Sequence, residues 1–228
     1  MCGRFALTRS PEELTRVFGL AECPDLAPRA NIAPASDIAV VGRSPVGDPV
    51  LHLLRWGLVP HWRQDPTDGP RPINARSETV LTKPAFREAF RQRRCLIPAD
   101  GFYEWQAQRG TKQPFFFSDP GGEVLALGGL WEWWRVPDGG LLRTCCILTT
   151  AANARVAPVH ERMPLILAPG SWATWLAGPV AAAQALLVPA PPEALRCWPV
   201  SHRVNRVAEE GAGLMAPVAA GLAANVTG

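Results

Sequence analysis

The sequence predicts an α+β fold organised as a single domain, residues 1–228. The middle of the chain is a run of strand-like segments separated by turn signals such as Asp119-Pro120-Gly121-Gly122 and Pro137-Asp138-Gly139-Gly140. The order of helical and strand patterns is mixed, which argues against the regular alternation of a βαβ series. The 228 residues suffice for one sizeable core, the 47% hydrophobic and 19% charged content is that of a globular chain, and no break in composition divides it.

The first element is a helix. Ser10-Pro11-Glu12-Glu13 reads as an N-cap, a proline at the first helical position and a capping-box glutamate; Leu14, Val17 and Phe18 form its apolar face and Gly19 ends it. Residues 37–41 and 50–56 read as strands around a turn at 45–48, and residues 63–72 as a polar loop. Residues 84–94 read as a helix with Phe86 and Phe90 on one side. Arg87, Arg91 and Arg94 line another face, either solvated or bordering an anion site. Strands follow on both sides of a turn in "CLIPADGFYEW", then in "PFFFS", "VLALGGLWEWW" and "LLRTCCILTT". Residues 151–160 are helix or loop, "PLILA" is a strand, 170–187 are helical, and the Ala/Gly/Val-rich tail from about 212 is loosely held.

Net charge is +3, which permits nucleic acid as a partner without demanding it. The basic residues are 21 Arg and only two Lys; guanidinium forks suit phosphate oxygens, although a GC-rich genome produces the same bias. Residues 163–192 carry no charge, but Pro164, Pro169-Gly170 and Gly178-Pro179 interrupt them well short of the ~20 residues a membrane span needs. Six cysteines, at 2, 23, 95, 145, 146 and 197, form no C-x-x-C pair, and the four His show no zinc-like spacing. There is no basic-then-apolar leader. The expectation is a reduced, cytoplasmic chain without metal, cofactor or membrane association.

"MCGRF" raises the sharpest question. Removal of Met1 leaves Cys2 with a free α-amine next to its thiol. That pair forms an imine with an aldehyde and then closes it to a thiazolidine. An α-amine has a pKa of about 7.7–8.0 against about 10.4 for lysine, so at neutral pH it is by far the better imine-former. A cysteine is usually a small buried hydrophobe, and the other five fit that description; position 2 fits it less well, because termini fray. In "PINARSET", Asn74 and Arg76 are two apart and share a side of an extended segment, suited to holding a chain end and a phosphate or else to an ordinary turn. In "ADGFYEW", Glu104 is either a solvent-facing strand residue or a carboxyl in apolar surroundings with a raised pKa. In "PVHERMP", His160 is either structural or an acid/base group with Arg162 nearby. In "RWGLVPHW", Trp62 is either core or, if exposed, a stacking platform for an unpaired base.

Together, "MCGRF", "NIAPA", "RWGLVPHW", "PINARSET", "RRCLIPADGFYEW", "GLWEWW", "LTTAAN", "VHERMP" and "PVSHRVN" occur in an order that strongly resembles the SRAP family, the SOS-response-associated peptidases or abasic-site-processing proteins, from Cys2 to about Val207. The resemblance implies a barrel-like mixed-sheet core flanked by helices. It implies a monomer that binds single-stranded DNA and captures abasic sites through the mature N-terminal cysteine as a thiazolidine crosslink. It assigns the chemistry to Cys2, Asn74, Glu104 and His160, and DNA contacts to Arg4, Arg76, Arg162 and Thr149, with Pro34 and Trp62 at positions that wedge or stack near the lesion. Some members carry two adjacent Trp where this chain has His61-Trp62-Arg63, so its platform differs there. Two other readings compete: a thiol peptidase acting on other proteins through Cys2, His160 and Glu104, and a non-covalent single-strand-binding module.

Overall fold

The computed structural model describes residues 2–108, 110–137 and 139–218. The strands are β1 (Phe5–Leu7), β2 (Arg29–Ile32), β3 (Asp37–Arg43), β4 (Pro49–Trp56), β5 (Asn74–Arg76), β6 (Arg94–Ala99), β7 (Gly101–Gln108), β8 (Thr111–Ser118), β9 (Leu125–Arg135), β10 (Leu141–Ala151), β11 (Arg162–Pro164) and β12 (Arg196–Pro199). The helices are α1 (Pro11–Phe18), α2 (Arg87–Gln92), α3 (Trp172–Ala177) and α4 (Val180–Ala185). The architecture is α+β, as expected. Five strands close on themselves in the order β3, β4, β10, β9, β6 and back to β3, all antiparallel except the β4–β10 pair. Short strands β5 and β11 add to β10 beyond this barrel. A second, antiparallel sheet runs β12-β8-β7-β1-β2.

The capping signals of α1 act as the sequence indicates. Ser10 accepts from the Glu13 N–H, Glu13 returns the bond to the Ser10 N–H, and Gly19 takes the left-handed conformation at φ 64°. The two sheets meet where Phe5 of β1 packs edge-on against Trp56 at the end of β4, with ring centroids 5.4 Å apart. β6 and β7 are separated only by Asp100, so the "ADGFYEW" segment turns directly from the barrel into the second sheet. Gly101 stands at this corner for lack of space: a Cβ there would lie 2.2 Å from the Phe117 carbonyl oxygen.

Several expectations need correction. The helix expected over 84–94 is only α2, and Arg94 leaves it for β6, where it is buried. Its guanidinium donates to the carbonyls of Phe90, Trp175 and Gly178, which ties α2 to α3 rather than facing an anion. The strand expected at "PLILA" starts earlier, at Arg162, and continues only as an isolated bridge at Ile166. Residues 170–187 form two helices, because Gly178-Pro179 breaks them. The tail is packed as far as residue 218: Leu214 is buried and Pro217 bridges Val200. Its remainder, 219–228, lies outside the described residues, as do Met1 and Asp138 of the expected turn.

Gly101→Ala is expected to destabilise the protein by about 1–3 kcal/mol, the usual cost of overpacking, because the atoms in its way are the Phe117 backbone and a buried Phe116 ring. A denaturant melt checks this, and an unchanged midpoint would show that the corner yields.

Candidate active site

Cys2 does not fray. It lies just ahead of β1 and is fully buried. β1 pairs with β7, and the pairing runs back toward the chain end through the Tyr103 N–H, which donates to the Arg4 carbonyl at 2.9 Å. From the other side, β5 lies parallel to β10, with Asn74 opposite Ile147. The Asn74 side-chain amide donates to the Cys2 carbonyl at 2.9 Å. The N-terminal segment is thus held between an edge strand of the barrel system and the second sheet.

Glu104 lies on β7 and is only 2% exposed. Both faces of β7 are covered over its first half, so strand alternation does not send this carboxyl to solvent. Burial raises its pKa above the ordinary carboxylate range, and His160 works in the opposite direction. Burial likewise drives the Cys2 thiol far above the usual thiol range, and the Glu104 carboxyl pushes the same way. Thiol and carboxyl are therefore electrostatically coupled neighbours.

His160 comes from residues 151–160, which form a loop of turns. Asn153 organises that loop: its side-chain oxygen accepts from the Arg155 and Val156 N–H groups at 3.0 Å each, and its amide donates to the Ala190 carbonyl. Gln106 donates to the Pro158 carbonyl at 2.9 Å and draws the loop onto β7. The Arg162 N–H donates to Nδ1 of His160 at 2.9 Å. The same Nδ1 lies 3.1 Å from the Arg162 carbonyl oxygen, so both backbone groups of Arg162 hold the ring in place. Glu104 and His160 share an open pocket of about 450 Å³ with Arg4, Trp105, Lys112 and Asn205.

The arginines differ in their freedom. Arg4 is fixed: its Nη1 donates to Asn31 Oδ1 at 2.6 Å and to the Val204 carbonyl at 2.7 Å, with the guanidinium over the Trp105 ring. Arg76 is exposed at the end of β5, two residues beyond Asn74. Arg162 is paired with Glu78 at 2.5 and 2.9 Å and also donates to the Thr149 carbonyl at 2.6 Å. Thr149 has no exposed surface, so it positions Arg162 rather than presenting itself to a ligand. Pro34 is half-buried on a turn whose next residue, Ala35, has φ 60°, a rare conformation for a non-glycine. That turn is held to β4 by the Ala35 N–H to Trp56 carbonyl bond and by the Arg55 guanidinium.

Trp62 is 56% exposed and lies apart from the Cys2 pocket, in a second cavity with His61, Pro84, Arg87 and Glu88. His61 turns toward buried Glu132, with Nδ1 at 3.2 Å, and Arg93 holds that carboxylate at 2.8 Å. Sequence reasoning missed Asn31, Glu78, Lys112, Asn153 and Asn205. All but Lys112 lie within motifs quoted above, where a polar residue carried no mark of its partner.

Among the described residues no group of three His, Cys, Asp or Glu side chains is placed to hold a metal ion, and no helix is long and apolar enough to cross a membrane. The geometry defines a class of protein that keeps a cysteine at its N-terminal end beside a carboxyl and an imidazole. Residues 1–207 match the family model SOS response associated peptidase (SRAP), and the chain belongs to that family. It is 37% identical over 180 residues to the abasic site processing protein YoqW of Bacillus subtilis, covering 77% of this chain and 80% of that one. It is 35% identical over 222 residues to the abasic site processing protein YoaM of the same organism, covering 94% and 97%. A crystal structure of a protein from Bacteroides thetaiotaomicron superposes with a TM-score of 0.86 at 20% identity, over 96% of this chain and all of that one, and shows the same fold.

The raised Glu104 pKa has a consequence for stability. The folded protein holds the Glu104 proton more tightly than the unfolded chain, so the associated stability is complete below the unfolded pKa and is lost as pH rises through the folded one. Glu104→Gln should therefore melt higher than the parent at about pH 8, by about 2–4 °C for each kcal/mol of charge burial relieved, and converge with it near pH 4. Equal midpoints at the higher pH would refute the assignment.

Proposed function

We propose that the protein captures abasic sites in single-stranded DNA as a covalent thiazolidine once Met1 has been removed. The observation that carries this reading is the bond from Asn74 to the Cys2 carbonyl. It grips the residue by a group that the chemistry does not use, so neither nitrogen nor sulfur is spent on the anchor. The two named relatives are abasic site processing proteins, which supports the same substrate.

The steps balance. His160 and Glu104 move the proton that opens the closed sugar to its aldehyde. The Cys2 amine adds to C1, the carbinolamine loses water, and an imine remains. The thiol sulfur then adds to the imine carbon, its proton passing by way of Glu104 to the nitrogen, and the ring closes. The product is protein plus DNA less one water. Ring closure competes with β-elimination of the 3′ phosphate and removes the imine that elimination requires. Arg4, Arg76 and Arg162 hold flanking phosphates, Arg162 by exchanging Glu78 for the incoming anion. Pro34 and Trp62 contact the strand on either side. Preference for single strands follows from the site, since a stacked duplex would have to be opened to bring C1 to a chain end.

A peptidase acting through a Cys–His pair fits less well. Such enzymes depend on a thiol pKa lowered by a neighbouring cation, whereas burial and Glu104 raise this one.

Intact-protein mass after incubation with an abasic oligonucleotide tests the proposal. Expected is a species of protein plus DNA less one water without reductant, absent with undamaged DNA and lost when one residue is placed ahead of Cys2. Asn74→Ala should slow its appearance by up to about 10²-fold, the usual penalty of misplaced reactants. Absence of the adduct from protein that has lost Met1 would overturn the reading.

A further inference from the structure

The barrel has two ends, and the Cys2 site uses only one. At that end Phe5 packs on Trp56, the last residue of β4. The opposite end is open. A cavity of about 390 Å³ there is lined from β3, β4, β9 and β10. β9 pairs with neither β3 nor β4, so their side chains share one cavity only by converging across the barrel interior. The registers agree: Val40 stands opposite His52, Cys145 opposite both Trp131 and Trp56. This is the mouth of the barrel, a common place for a small-ligand site, and its volume falls within the roughly 300–1,000 Å³ of such pockets.

Its chemistry is polarised. Val40 and Leu54 make an apolar floor, Trp131 adds a half-exposed indole, and Arg43, Arg143 and His52 form the rim. Among the described residues no carboxylate lines the cavity. Arg43 is held in place by its own turn: Nε donates to the Gly47 carbonyl at 2.7 Å, and Gly47 has φ 104°. A Cβ on Gly47 would lie 2.5 Å from Arg43 Nη2, so glycine suits the turn and a side chain there would push the guanidinium aside. Burial, then the charge on Arg143, lowers the pKa of His52, so at neutral pH it offers an uncharged ring. Two guanidiniums beside aromatic rings over an apolar floor recognise an anion attached to a flat, weakly polar body.

We propose that this mouth binds a nucleotide phosphate monoester, with the phosphate between Arg43 and Arg143 and the base against Trp131. Along β10, Arg143 and Ile147, which stands opposite Asn74, are four residues apart, about 13 Å of strand, and the two cavities share no lining residue, so this site is distinct from the Cys2 pocket. The same chemistry is offered by a free mononucleotide and by the phosphorylated end of a DNA strand.

Calorimetric titration of the full chain with 2′-deoxyadenosine 5′-monophosphate tests this, beside deoxyadenosine and inorganic phosphate alone. Expected is saturable binding of the nucleotide, with either fragment weaker by about tenfold or more and Arg143→Ala losing a similar factor. Arg143 is exposed, so its variant should fold, which circular dichroism checks; Gly47→Ala, which displaces Arg43 without removing a charge, is an independent second variant. No saturable binding at millimolar nucleotide, or parental affinity retained in both Arg143→Ala and Gly47→Ala, would overturn the proposal. A 5′-phosphorylated tetranucleotide that displaces the mononucleotide from the parent but not from Arg143→Ala supports the site with a strand end as occupant. Failure to displace supports it with a free nucleotide.

Discussion

The hydrogen bond between Asn74 and the Cys2 carbonyl joins two parts of the molecule that the chain does not connect locally. Asn74 belongs to β5, which depends on β10 for its own position; Cys2 belongs to the segment that becomes β1 in the other sheet. A neutral hydrogen bond contributes only about 0.5–1.5 kcal/mol net. Its importance here is geometric, because chain ends otherwise fray and a reacting group displaced by an ångström loses most of its advantage. Holding the residue by its carbonyl also keeps its nitrogen and sulfur out of the anchoring bond.

Around that anchor the site pairs a buried thiol with a buried carboxyl, and Arg4, Arg76 and Arg162 are the cations proposed to meet phosphate. Burial and then the Glu104 carboxyl disfavour ionisation of Cys2, and burial disfavours ionisation of Glu104 itself. The cations are presented in three different ways. Arg4 is locked by Asn31 and the Val204 carbonyl, Arg76 is exposed, and Arg162 is held by an exposed carboxylate, Glu78. Ion pairs with a solvent-exposed partner contribute little, so exchanging Glu78 for a phosphate costs little while keeping Arg162 aimed by the Thr149 carbonyl.

Local rules made much of this legible. The cap of α1, the strand-turn-strand of "ADGFYEW" and the shared side of Asn74 and Arg76 all follow from nearest-neighbour chemistry, and the structure bears them out. What local rules could not supply is burial by distant elements. Glu104 had two readings because alternation says nothing about whether the far face of β7 is covered. Arg94 looked like part of a solvated stripe because its partners, Trp175 and Gly178, lie more than eighty residues away. Asn31, in the "NIAPA" motif, gathers Arg4 and three carbonyls of the 204–209 segment, a role that becomes visible only when the C-terminal residues return to the start of the chain.

Burial of the thiol also bears on which product forms. A raised pKa makes thiolate scarce, which would slow attack on any external electrophile. An imine on the same residue is different, because the sulfur and the imine carbon are then part of one incipient five-membered ring, and effective molarities for such closures reach about 10⁵–10⁸ M. Scarcity of thiolate therefore suppresses adventitious chemistry far more than it suppresses ring closure. In the proposed reaction Glu104 serves both ends of this balance: after burial it is the next cause that keeps the thiol pKa high, and its own raised pKa makes it a better proton acceptor than an ordinary carboxylate. The same carboxyl that restrains the nucleophile is the group best placed to release it.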